Sequence, residues 1–345
     1  MKNDITLEEY KKCFDDFNIT GCSVRSSDIF YFTAQEDPNA WPWSTWNRDE
    51  EPGPYDNELI KHAIAYFPDD PEGERWSRAI IEGFDVSFCG IAHKPLAQQV
   101  VVSMHGQVFA GGSGVADIEK SIPNGEDIGR LQGGIRRIKS IDGWLYYCGG
   151  RNSVGKRLNI NEWQLISPDV PNPERDDHRF NFFRDIDGFN ENDIYCVGSE
   201  GQVYHFNGNK WYALDFPTNV NLNSLCCAGD GFVYVSGVHG VTYKGKENKW
   251  KLIGGGDLNL PFRDMVWYED RVWCTSDYGV WNIVNDKIIT AEIPDGMSAY
   301  AGHLSTGDGV LLLTGFGGAA VLENGEWRKI FSNIEMTRMV VGEEG

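Results

Sequence analysis

One stretch of about thirty residues recurs along this chain, and that recurrence limits the possible folds more than any other feature. Phe183–Leu214 reads as four short strand-like runs: Phe183–Ile186, Asp193–Val197, Gln202–Phe206 and Lys210–Leu214. Asn207-Gly208 joins the last two, and both residue types tolerate the positive φ of a tight hairpin. A sheet of four such short strands has two faces to bury and is not stable alone. It must stack on copies of itself.

Copies are present at Ile135–Ile166, Leu222–Ile253, Phe262–Ile293 and Leu304–Ile330. A Trp opens the last strand of the unit at Trp163, Trp211, Trp250 and Trp327, with Ile288 in the same slot. Spacings of about 40 residues match one blade of a propeller. The chain is therefore expected to be all-β, a seven-bladed β-propeller with a short N-terminal helix. Residues 1–20 carry that helix, packed on the propeller, and residues 21–345 form a single propeller domain.

The helix follows from Thr6-Leu7-Glu8-Glu9, a capping box, and from Leu7, Tyr10, Phe14 and Phe17 at helical spacing. It is placed at Thr6–Phe17. Blade one takes Ser27–Thr33, His62–Phe67 and Arg75–Ile80 as its second to fourth strands. Its first strand is expected from the other end of the chain. Met336–Met339 has the apolar-x-x-apolar form of Phe183–Ile186 and Phe262–Met265, so N- and C-terminal strands would close the ring together. Blade two is Val86–Ile122. Two insertions break the rhythm, Gln35–Glu58 and Ser167–Asn181, and loops this long tend to be functional or disordered.

Charge excludes one class of partner. With 51 acids against 31 bases the formal net charge is −20, whereas nucleic-acid binding needs clustered Lys and Arg. No apolar run reaches membrane-spanning length, and the N-terminus MKNDITLEEY has acids where a signal peptide needs an apolar stretch. A cytoplasmic, monomeric protein is the expectation. The eight cysteines have no metal spacing; Cys148, Cys196 and Cys274 share one repeat position and read as small core residues.

The first strand of each propeller blade lines the central channel. At its start the repeats carry Arg136-Arg137, Arg184-Asp185, Asn223-Ser224, Arg263-Asp264 and Thr337-Arg338. Arg136, Arg184, Arg263 and Arg338 are thus expected at the channel mouth, with His239 on a neighbouring turn. Arginine there could hold carboxylates, or the Arg-Asp pairs could neutralise one another across blades. Thr275–Trp281 resembles the Asp-box of sialidases but departs from it at the Trp and in the strands it joins. Gly or Ser-x-x-Gly turns fill the same slot in other blades, a turn that needs small residues. The sequence carries no GxSxG, HExxH or phosphate loop. No catalytic residue, metal site or cofactor is assigned.

The strand ending Val197–Val203, followed by a hairpin and Trp211, resembles the bacterial propellers of the Ycf48-like and BNR-type repeat group. The resemblance covers about residues 134–330 and implies an assembly or binding factor. In its acidic, stand-alone character the chain also resembles the immunity partners of bacterial toxins. The main functional expectation is a non-enzymatic protein-binding propeller, with a toxin inhibitor among its forms. An assembly adaptor remains open, as does a carbohydrate- or anion-processing enzyme using Arg184, Arg263, His239, Glu200 and Asp277. The Gln35–Glu58 loop holds seven acids, one base and four prolines. Trp41, Trp43 and Trp46 with Asp49, Glu50 and Glu51 are expected to grip a basic protein, because Trp is enriched at hot spots and acids steer cationic surfaces.

Overall fold

The repeat folds into seven four-stranded antiparallel sheets, each a meander of four consecutive strands. The computed structural model describes residues 2–39, 54–124, 131, 133–168, 170, 182–254, 259 and 261–344. Blade one is β1 (Phe17–Ser26), β2 (Ile29–Glu36), β3 (Lys61–Tyr66) and β4 (Trp76–Ile81). Blade two is β5 (Ser87–Ala92), β6 (Gln98–Ser103), β7 (Val108–Gly112) and β8 (Val115–Glu119). Blade three is β9 (Ile135–Ile141), β10 (Trp144–Gly149), β11 (Val154–Asn159) and β12 (Glu162–Leu165). Blade four is β13 (Phe183–Asn190), β14 (Asp193–Gly198), β15 (Val203–Phe206) and β16 (Trp211–Ala213). Blade five is β17 (Leu222–Cys227), β18 (Val233–Gly237), β19 (Thr242–Lys246) and β20 (Lys249–Gly254). Blade six is β21 (Asp264–Tyr268), β22 (Arg271–Ser276), β23 (Gly279–Val284) and β24 (Lys287–Thr290). Blade seven is β25 (His303–Gly307), β26 (Val310–Gly315), β27 (Gly318–Glu323) and β28 (Glu326–Ser332).

The core lies between blades rather than within one. One cluster joins Val100 and Val102 of blade two to Ile135, Leu145 and Trp163 of blade three. Another joins Cys226 and Tyr234 of blade five to Met265 and Cys274 of blade six. This is the stacking that a sheet with two apolar faces requires. The turns obey the expected chemistry with one difference. Asn324 and Gly325 both take positive φ, at 51° and 77°. In the Asn207-Gly208 turn only Gly208 does, while the Asn207 side chain accepts from the Asn209 and Lys210 amides. The Gly-x-x-Gly turn needs its small residues. Gly201 has φ 72°, and a Cβ there would collide with the Thr218 carbonyl.

Ring closure differs from the expectation. No terminal strand is shared: β1 pairs with β2, so blade one is built wholly from the N-terminal part of the chain. Met336–Met339 lies instead in helix α2 (Asn333–Glu344), packed against helix α1 (Leu7–Cys13). The physical reason is period. Met336 and Val340 are buried and Met339 is exposed, which is helical spacing, and a short apolar-x-x-apolar run cannot tell the two apart. Closure is a latch of side chains together with a backbone hydrogen bond, from the Asp4 amide to the Ile330 carbonyl at 2.6 Å. Phe14 packs on Phe331 with ring centroids 4.6 Å apart, Trp76 donates to the Asp4 carbonyl at 3.0 Å, and Asp4 pairs with Arg75 and Arg328. Blades one and seven are also stitched directly, the Val24 amide donating to Ser305 Oγ at 2.9 Å. The capping box on α1 is present as read from the sequence. None of the described helices is long and apolar enough to cross a membrane.

Candidate functional site

Residues at the start of the first strands converge on one end of the channel, here the upper end. A cavity of about 340 Å³ opens there, lined by Arg136, Arg137, Phe182, Arg184, Asp185, Asn223 and Arg263. Strand alternation sorts these residues into two tiers. Successive side chains on a strand point to opposite sides, so neighbours in sequence have different surroundings.

The inner tier is an ion cluster. Arg137 of blade three reaches Asp185 of blade four at 3.2 Å and also pairs with Asp264 of blade six. Both carboxylates are buried, and each also accepts a backbone amide from the next blade: Leu225 N–H to Asp185 at 2.8 Å, Leu304 N–H to Asp264 at 3.1 Å. At the equivalent position of blade five, Ser224 donates to the Phe262 carbonyl at 2.8 Å. Burial opposes the charge on Arg137, but Asp264 and Asp185 outweigh it and hold the guanidinium protonated. Burial also opposes ionisation of Asp264, yet Arg137 and Lys139 keep its carboxyl below the usual range. Asp185 goes the other way, raised by burial that Arg137 and Lys139 only partly offset. Half-buried His303, which lines the lower lumen, is pushed down to about 4 by desolvation and is neutral at pH 7.

Arg137 also lines a lower lumen of about 580 Å³ with Cys22, Cys89, Cys226, Asp264 and His303. The cluster thus lies between the two cavities. It realises the cross-blade neutralisation considered from sequence, but through Arg137 rather than through Arg184 and Arg263.

The outer tier keeps its cations. Phe182 contacts two guanidiniums, with Arg136 at 5.0 Å and Arg184 at 4.8 Å from its ring centroid. Burial and the nearby Arg136 push the Arg184 pKa down. Arg184 Nε and Asn223 Oδ1 are buried with no hydrogen-bond partner among the described residues. Arg263 is exposed, with Asp277 at 3.7 Å. Arg263 also borders a cavity of about 640 Å³ lined by Asp37, Asn39 and Asp277, where the chain leaves β2 towards the long acidic loop.

Three of the four arginines expected at the mouth are brought together. Arg338 is not among them: it sits exposed on α2, because the segment that carries it is a helix and not a channel strand. His239 is exposed on the turn after β18, with φ 63°, and lines neither cavity at the mouth. Trp41, Trp43, Trp46, Asp49, Glu50 and Glu51 lie outside the described residues. Phe182 was not singled out from the sequence. Its signal was the doublet Phe182-Phe183 at a strand start, where alternation buries Phe183 and leaves Phe182 half-buried at the mouth. No group of three His, Cys, Asp or Glu among the described residues is placed to hold a metal.

No family model matches the chain. The fold resembles the WD40 propeller domain of Doa1, with a TM-score of 0.57 at 9% identity over 89% of this chain and 92% of that one. It also resembles virginiamycin B lyase from Staphylococcus aureus, at 0.55 and 10% identity over 72% and 85%. At such identities these likenesses concern the fold alone. A sequence relative goes further. Immune protein Tsi7 of Pseudomonas aeruginosa is 32% identical over 222 residues, which cover 64% of this chain and 72% of that protein. On that match the chain belongs to the family of the immune protein Tsi7.

Proposed function

We propose that this protein is an immunity protein, a non-enzymatic propeller that neutralises a protein toxin by binding it directly in the cytoplasm as a monomer. The observation that carries this reading is the 32% identity to an immune protein over 72% of that protein's length. Two features of the chain support it. The net charge of −20 suits a cationic partner, such as an enzyme whose own site must hold phosphate. The buried channel carboxylates Asp185 and Asp264 are engaged by Arg137 and by backbone amides, which leaves them poorly suited to acid-base work.

The binding element in this reading is the loop between β2 and β3, with Trp41, Trp43 and Trp46 as apolar anchors and Asp49, Glu50 and Glu51 as steering charges. Asp37 and Asn39, where the loop leaves the sheet, line a cavity beside Arg263, so the loop emerges next to the channel mouth. The test is co-expression with a candidate toxin, sought among the products of the flanking genes, followed by purification of a complex. Replacing Trp43 and Trp46 with Ala is expected to abolish both protection and the complex while leaving the melting temperature unchanged. Replacing Asp49, Glu50 and Glu51 with Asn and Gln is expected to slow association and flatten its salt dependence. Full protection by both variants would move the binding face elsewhere.

A further inference from the structure

The upper mouth concentrates positive charge in a protein whose overall charge is −20. Arg136, Arg184 and Arg263 come from three different blades and border one cavity of about 340 Å³. Arg137, the fourth arginine there, is already engaged by Asp185 and Asp264. Among the described residues, the outer three are approached by one carboxylate, that of exposed Asp277, 3.7 Å from Arg263. Two like charges share the Phe182 ring, each within cation–π distance of it. Such crowding is unfavourable until an anion enters. Arg184 Nε is buried without a partner among the described residues, so one of its donors is unused. The Asn223 carboxamide, with Oδ1 likewise unpaired, can present its NH2 to the cavity by turning about its last bond.

We propose that Arg136, Phe182, Arg184, Asn223 and Arg263 form a binding site for a small phosphoryl polyanion, of the size of phosphate or diphosphate. The chemistry favours phosphoryl over carboxylate. A planar carboxylate matches one guanidinium fork, whereas phosphoryl oxygens diverge in three dimensions and can meet guanidiniums arriving from three blades. Two or more negative charges also balance the three cations better than one. The volume lies near the lower end of small-molecule pockets, about 300–1,000 Å³. The site requires neither the β2–β3 loop nor a toxin, so it stands or falls separately from the immunity reading.

The test is calorimetric titration of the full chain with sodium pyrophosphate, orthophosphate and citrate at low, matched ionic strength. The expected result is one saturable pyrophosphate site with a Kd below about 1 mM, orthophosphate weaker and citrate weakest. Arg184→Gln and Arg136→Gln are each expected to weaken pyrophosphate by about tenfold or more, and Arg184→Lys by less, since it keeps the charge and loses the fork. Arg271→Gln, on the β21–β22 hairpin at the far end of the channel, is expected to bind as the parent does. If Arg184→Gln does not fold, the exposed Arg136→Gln carries the test. Absence of saturable pyrophosphate binding overturns the proposal, as does unchanged binding by Arg136→Gln or tighter binding of citrate than of pyrophosphate.

Discussion

Arg136 and Arg137 are neighbours on one strand and do opposite things. Arg137 is spent on the ring: it ties blade three to Asp185 of blade four and Asp264 of blade six, and those aspartates hold backbone amides of blades five and seven. Arg136 points to the other side and lies over Phe182 at an open mouth. The same split recurs one blade on. Asp185 is buried in the ion cluster, while Arg184 stacks on Phe182 with a donor unused. Adjacent positions of one repeat therefore separate what holds the ring from what faces outward. A repeat position that stitches one blade to the next is explained by the fold. A position with unspent cations is not, and that is where a ligand is worth seeking.

The largest expected effect tests the inner tier. Arg137→Met leaves two buried carboxylates without their cation, and breaking such a pair costs about 3–5 kcal/mol. Urea unfolding should show that loss. A midpoint equal to the parent's would mean the cluster is incidental. Asp264→Asn is milder, because the amide oxygen still accepts from Leu304 N–H while the charge facing Arg137 is gone. A loss of about 1–3 kcal/mol is expected from a weakened charged hydrogen bond. In the outer tier, Arg136→Gln should change stability by less than about 0.5 kcal/mol, as surface substitutions do. Equal losses for Arg136→Gln and Arg137→Met would erase the distinction between the tiers.

A pH slope tests the desolvated histidines. Burial holds both His62 and His303 down to about 4, against an ordinary value of 6.5. Between those values the unfolded chain binds protons that the folded chain does not. Stability must therefore fall as pH drops from about 6.5 towards 4. Asp185, with its carboxyl raised, contributes with the opposite sign, so the net slope mixes terms. The difference between the parent and His303→Asn isolates one of them: the variant should show a shallower slope across that window. An identical slope would mean that His303 takes up a proton in the fold.

Much of the ring was legible because it is written several times over. The Trp slot, the Asn-Gly hairpins and the Gly-x-x-Gly turns agree from blade to blade, and agreement among copies outweighs ambiguity in any one. Blade one has no such help. β1 reads FNITGCSVRS: Ile19, Cys22 and Val24 pack into the core while Thr20 and Ser23 line the lumen, and register shifts at Ile19/Gly21 and Val24/Ser26 break the alternation. It does not look like a strand by alternation, and the apolar-x-x-apolar run at Met336 filled the gap wrongly. The same gap misplaced Arg338. The convergence of Arg136, Arg184 and Arg263 was legible, since equivalent repeat positions around a ring must meet near its axis. The role of Arg137 was not. Its partners lie one and three blades away, and sequence does not say which acid a long side chain will reach.

Direct binding and enzymatic inactivation are separated by stoichiometry. The purified toxin partner is titrated with this protein at concentrations well above their Kd, and residual toxin activity is measured. Neutralisation by binding predicts a linear fall that ends sharply at one molecule of this protein per toxin. Complete inactivation at a small fraction of that ratio, deepening with time, would contradict the account and make this protein a catalyst.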